Sequence, residues 1–137
     1  MEVPMETIFT KIIKGEIPAT KLYSDDLCIA ILDIAPVNKG HALVISREPY
    51  PTIGDCPPKT LSRMMEIVKK LDAAMHKELD AEATNIVINN GPAAGQEVPH
   101  LHIHIIPRYS GDGKRFIPKK TAYNEGEIAD YGRKLHL

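Results

Sequence analysis

The segment Val98-Pro99-His100-Leu101-His102-Ile103-His104-Ile105-Ile106-Pro107-Arg108 decides how this chain is read. In a β-strand, side chains two apart share a face, so His100, His102 and His104 point one way while Leu101, Ile103 and Ile105 point the other. One face is core and the other is imidazole. Chance puts the chain's 6 histidines into such a triple in roughly one sequence of this length in a hundred. Two chemistries use such a row. Alternate histidines can present ring nitrogens to a metal ion, but three strand residues span roughly 13 Å, so all three reach one ion only with help from other strands, such as Asp33 and His41. Alternatively, the middle imidazole attacks an electrophile while its neighbours steady the charge, which suits phosphorus chemistry at neutral pH. The second is favoured.

Outward from this segment, Pro and Gly punctuate the chain into short elements. Ile8 to Lys14 is predicted as a short helix closed by Gly15. Lys21 to Ser24, Cys28 to Leu32 and His41 to Ser46 are predicted strands. After Pro57-Pro58, the apolar stripe Leu61, Met64, Met65, Val68, Leu71 and Met75 predicts one long helix, facing the sheet or a partner subunit. Asn85 to Asn89 and His100 to Ile106 are further strands, the latter stopping at Pro107. Gly91 to Gly95 is a loop, and Glu125 to Leu135 a terminal helix. The fold class is α+β, with an antiparallel sheet of about five strands, one long and one short helix and a C-terminal extension.

The 137 residues fit one domain, and a net charge of -1 argues against nucleic acid or an anionic membrane as a partner. No apolar run is long enough to span a bilayer, and acidic Glu2 and Glu6 replace any secretory signal, so the expected location is cytoplasmic. Cys28 and Cys56 form no Cys-x-x-Cys pair and are expected to stay reduced.

The His-φ-His-φ-His-φ-φ run, φ being apolar, resembles the signature of the histidine triad family of nucleotide hydrolases and transferases. Further matches follow in order over about residues 8–108: Ile8-Phe9, Gly15 to Ala19, Leu32-Asp33-Ile34, Gly40 to Ile45, Asn89 to Gly91 and Gly95-Gln96. Residues 109–137 form an extension without a motif, longer than in the phosphoramidase type.

The resemblance implies that His102 attacks the α-phosphorus of an adenosine nucleotide, a dinucleoside polyphosphate or an AMP phosphoramidate, and carries a covalent nucleotidyl group until water removes it. It implies that His104 stabilises charge on the phosphate oxygens and His100 supports the hydrogen-bond network, with His41 near the phosphate. Asp33 would accept from the ribose hydroxyls and Asn89 would hold ribose or phosphate. Gly91 and Gly95 would let backbone approach the phosphates, with Gln96 and Glu97 reaching the leaving group. Glu97 departs from the Ser common in the phosphoramidase branch. Ile8, Phe9, Ile12, Ile17, Ile31 and Ile34 match an apolar purine pocket, with adenine modestly preferred. Thr7 and Thr10 stand where some relatives carry zinc-binding cysteines, so no metal site is expected. No cofactor is required, with Mg²⁺ entering only alongside a polyphosphate substrate. Relatives are homodimers, and a homodimer is expected. The competing readings are a nucleotide-binding sensor or adaptor without turnover and a metal hydrolase ligated by histidines.

Overall fold

Five segments, the central ones apolar at almost every position, pair into one sheet. The computed structural model describes residues 6–137, so Glu2 lies outside the described residues. The strands are β1 Lys21–Ser24, β2 Cys28–Leu32, β3 Ala42–Ser46, β4 Ala83–Val87 and β5 His102–Arg108. They lie in the order β1-β2-β3-β5-β4, and every neighbouring pair is antiparallel. Three helices accompany the sheet: α1 Ile8–Ile13, α2 Pro58–Glu78 and α3 Glu127–Leu135.

β2 and β3 are apolar at almost every position because the sheet is covered on both sides. Cys28, Ala30, Ala42, Val44, Leu101, Ile103 and Ile105 pack with Met64, Ile67, Val68 and Met75 of α2. On the other face Ile29, Ile31, Leu43 and Ile45 pack with Phe9 and Ile12 of α1. The register pairs Ile45 with His102 and Leu43 with His104, so the imidazoles emerge on the α1 side. α1 is too short to cover that face, and a cleft is left beside it. Most of the α2 stripe is therefore core, while Met65 is exposed.

The ends of β5 and the placement of β4 depart most from the expected bounds, while α1, β3 and α3 differ from theirs by one or two residues at one end. β5 begins at His102, since the Leu101 N–H turns to the carbonyl of Tyr50 and the His100 N–H to that of Val98. It also runs through Pro107 instead of stopping there. Pairing with β3 has already ended at Ala42↔Ile105, and the Pro107 carbonyl accepts from Asn38 Nδ2 at 2.9 Å on that open side. A residue's N–H and C=O share one edge of a strand, so the missing N–H removes no ladder bond. β4 lies at Ala83–Val87, two residues earlier than Asn85 to Asn89, because its register is set by Ala83↔Arg108 at the far end of β5. A short 3-10 turn, Pro92–Ala94, occupies the glycine loop.

Gly40, at φ +99°, brings the chain into β3 so close to the end of α2 that an added Cβ would lie 2.5 Å from Leu79 Cδ1. Gly40→Ala combines this crowding with an unfavourable backbone angle. It is expected to destabilise the fold by about 1–3 kcal/mol, read as a lower urea midpoint. An unchanged midpoint would contradict this reading of the β2–β3 connection.

Candidate active site

The cleft beside α1 has a volume of about 410 Å³. Its floor is the sheet, where β5 contributes His102 and His104, and β2 and β3 contribute Ile31 and Leu43. Ile8, Phe9 and Ile12 of α1 form one wall, with Ile17 following; Asp33, Ile34, Asn89, Gly95 and Glu97 surround the polar end. Phe9 stands edge-on to His102, ring centres 4.9 Å apart, and His102 stands edge-on to His104 at 5.0 Å. Gly95 adopts φ +95°, which a glycine tolerates, and its Cα faces the Asn89 side chain at the cleft edge.

The hydrogen bonds assign protons to two of the rings. His102 Nδ1 lies 2.7 Å from the His100 carbonyl, which can only accept, so Nδ1 carries the proton and Nε2 a lone pair. His100 is fixed from both sides: Nε2–H donates to the Ser46 carbonyl at 2.6 Å, and Nδ1 accepts from the Thr7 hydroxyl at 2.7 Å. No buried side-chain nitrogen or oxygen among the described residues lacks a partner. Nε2 of His102 and of His104 have none, so both open to the cleft.

A HIT domain model matches residues 14–111. The chain belongs to the HIT family. It is 44% identical over 107 residues to adenylylsulfatase HINT3 of Arabidopsis thaliana, covering 78% of this chain and 54% of that protein. It thus spans about half the length of that relative. It is 42% identical over 104 residues to adenosine 5'-monophosphoramidase hnt1 of Schizosaccharomyces pombe, covering 76% and 75%. A crystal structure of a HIT family member from Bacillus subtilis superposes with a TM-score of 0.87 at 34% identity, covering 96% of this chain and 95% of that one. A zinc-bound histidine triad protein from Mycobacterium smegmatis gives 0.77 at 36% identity, covering 87% and 86%.

Within this HIT fold, four residues expected at the site do not line the cleft, among them Gly91, whose N–H is bonded to Gln96. Gln96 does not line the cleft; its Oε1 accepts from Gly91 N–H at 2.7 Å and its Nε2 donates to the carbonyls of Pro51 and Val98, which uses both amide protons within the loop. His100 is fully buried behind His102, and His41 is buried behind His104, so both act on the cleft only through another ring. Ile34 is 95% exposed at the rim, where it covers nothing of the protein itself. Pro18, Ala19, Leu32, Leu43 and Val98 also line the cleft without having been expected there. Leu43 follows from the pairing with His104, a register that no local pattern reveals.

Asp33, His41 and His104 each bring one ligand atom to within 4.8 Å of the others, a convergence of the residue after β2, the residue before β3 and a residue within β5. The nitrogens His41 Nε2 and His104 Nδ1 already face each other at 3.0 Å, so an ion seated there has to break that hydrogen bond. Thr7 and Thr10 cap α1, Thr7 Oγ1 accepting from Thr10 N–H while donating to His100. Both hydroxyls are thus engaged in the cap of α1, and His100 beside them is bonded at both ring nitrogens.

Burial pushes His41, His100 and His102 below the ordinary histidine value of 6.5. His104, half-buried and flanked by His102 and His41, is pushed down to about 4 by desolvation and by those two rings. All four rings are neutral at pH 7. In the unfolded chain they take up protons near 6.5; in the folded chain they do so only at lower pH. Between those values the unfolded state binds more protons, so stability falls as pH falls. The melting temperature is expected to drop as pH is lowered from about 7 to 5, well before the Asp25 carboxylate, held down to about 2, begins to contribute. A melting temperature flat across that window would contradict the buried neutral histidines.

Proposed function

We propose that this HIT protein is a nucleotidyl hydrolase that cleaves at the α-phosphorus of adenosine nucleotides through a covalent nucleotidyl-His102. The observation that carries the reading is the His102 Nδ1–H bond to the His100 carbonyl, which leaves the Nε2 lone pair in the cleft. The substrate class draws support from two relatives, the adenylylsulfatase HINT3 and the monophosphoramidase hnt1, both of which by name act on adenylates. AMP phosphoramidates, dinucleoside polyphosphates and related adenylates share the group that such a nucleophile attacks.

In the first step the Nε2 lone pair forms a bond to the α-phosphorus. The bond to the leaving group breaks, and that group departs with the electron pair, an amine taking up a proton from solvent that the attacking water gives back in the second step. The ring becomes cationic, and its Nδ1–H bond to the His100 carbonyl strengthens as charge develops. His104 supplies a donor beside the non-bridging oxygens. Water then attacks the same phosphorus, the P–N bond breaks, and AMP leaves with His102 neutral again. Ile8, Phe9, Ile12, Ile17 and Ile31 bury the purine by contact area, with adenine modestly preferred. Asp33 accepts from ribose hydroxyls, and Asn89, Gly95 and Glu97 stand where phosphate or leaving group would lie.

The protein's own groups perform each of these steps, so the proposal includes neither a bound catalytic metal nor a structural zinc. Mg²⁺ enters only as the counterion of a polyphosphate substrate. The reading also includes cytoplasmic action and a homodimer formed along the outer face of α2, where Met65 is exposed next to half-buried Leu61. No helix among the described residues is long and apolar enough to cross a membrane.

His102→Ala is expected to lower AMP release from an adenosine phosphoramidate by about 10⁴-fold or more while AMP still binds. Intact mass after rapid quenching should show an AMP-sized adduct on the wild type alone. AMP binding without turnover by the wild type on phosphoramidate, dinucleoside polyphosphate and adenylylsulfate would replace the enzyme by a nucleotide sensor. Sedimentation at micromolar concentration is expected to give a dimer, and a monomer would contradict the α2 interface.

A further inference from the structure

The segment between β2 and β3 carries more hydrogen bonds to the site than its surface position requires. Asp33 N–H donates to the His41 carbonyl at 2.9 Å, and His41 N–H donates to the Asn38 carbonyl at 3.0 Å, closing a tight connection. Inside it the Val37 N–H donates to His41 Nδ1 at 3.1 Å. A backbone amide can only donate, so His41 Nδ1 must be bare and the proton must sit on Nε2. That Nε2 lies 3.0 Å from His104 Nδ1 and 3.7 Å from Asp33 Oδ2. One proton stands between two nitrogens, so His104 Nδ1 accepts it and is bare too. His104 therefore keeps its own proton on Nε2, the nitrogen open to the cleft.

We propose that the β2–β3 connection sets the tautomer of His104 through His41, with Asn38 as the positioning residue that holds the connection in place. Asn38 Nδ2 donates to the Pro107 carbonyl and to Asp112 Oδ2, each at 2.9 Å. Asp112 in turn receives Arg108 Nε at 2.8 Å, so the connection is bolted to the end of β5, the strand that carries His104. Pro107 contributes by lacking an N–H: the strand edge there presents only an acceptor, which the Asn38 amide fills. The order of control is Asn38, then the Val37 amide, then His41, then His104. A His104 in the opposite tautomer would present a lone pair to the phosphate oxygens and repel them. The kinetic consequence rests on the proposed nucleotidyl transfer, whereas the tautomers do not.

The test is long-range ¹H–¹⁵N correlation of the histidine rings in the full-length protein at pH 7.5, with Asn38→Ala and the milder Asn38→Ser alongside. In the wild type, His41 and His104 are expected to show bare Nδ1 and protonated Nε2. In the Asn38 variants both rings should shift toward mixed tautomers while His102 keeps its proton on Nδ1. kcat for phosphoramidate hydrolysis should fall by up to about 100-fold with a smaller change in KM. A wild-type His104 protonated at Nδ1 overturns the relay, with no variant needed. Unaltered His41 and His104 patterns in both variants remove Asn38 from it. Correct tautomers with no turnover of any adenylate would leave the relay standing and sink the proposed activity instead.

Discussion

The 2.7 Å hydrogen bond from His102 Nδ1 to the His100 carbonyl is the contact on which the rest of the site depends. A histidine two residues upstream on a regular strand could not offer its carbonyl this way. β5 begins only at His102, and the backbone at His100 turns to bond Val98, so that its carbonyl is free for the ring that follows. His100 itself is held at both nitrogens, by the Thr7 hydroxyl at the cap of α1 and by the Ser46 carbonyl at the end of β3. The helix that walls the cleft and the strand that floors it thereby fix the acceptor that orients His102.

Burial has a second effect. Four imidazoles, His41, His104 and His102 in ring contact and His100 and His102 against Phe9 of α1, are expensive to protonate, and each is held neutral by desolvation. Neutrality is what a nitrogen nucleophile requires, and the backbone bonds then decide which nitrogen of each ring carries the proton. Electrostatics keeps the lone pairs available, while hydrogen bonding aims them. Neither alone would suffice, since a neutral ring of the wrong tautomer presents N–H to the phosphorus.

Much of this was legible in the sequence where the signal is local. The alternation from Leu101 to Ile105 assigns one face to core and one to imidazole, and the structure divides these residues that way between α2 and the cleft side. The apolar stripe of α2 and the strands around Ile29 and Val44 likewise carry their own periodicity. What was not legible depends on register. β5 continues through Pro107 because β3 has already ended, and β4 sits two residues early because it pairs from Arg108 backward. Gln96 is absorbed by its own loop, since an amide with both donor and acceptor is as useful to a turn as to a ligand. The role of Val37 lies in a backbone amide and leaves no trace in residue type.

Of the possible measurements, the most direct is to locate the nucleotide on the trapped adduct. Wild-type protein labelled with ¹⁵N in its histidines, mixed briefly with an adenosine phosphoramidate and quenched in base, should show phosphorus coupled to Nε2 of His102. Phosphorus on Nδ1 of His102, or on any other residue, would contradict the account, because the His100 carbonyl would then not be what selects the attacking nitrogen.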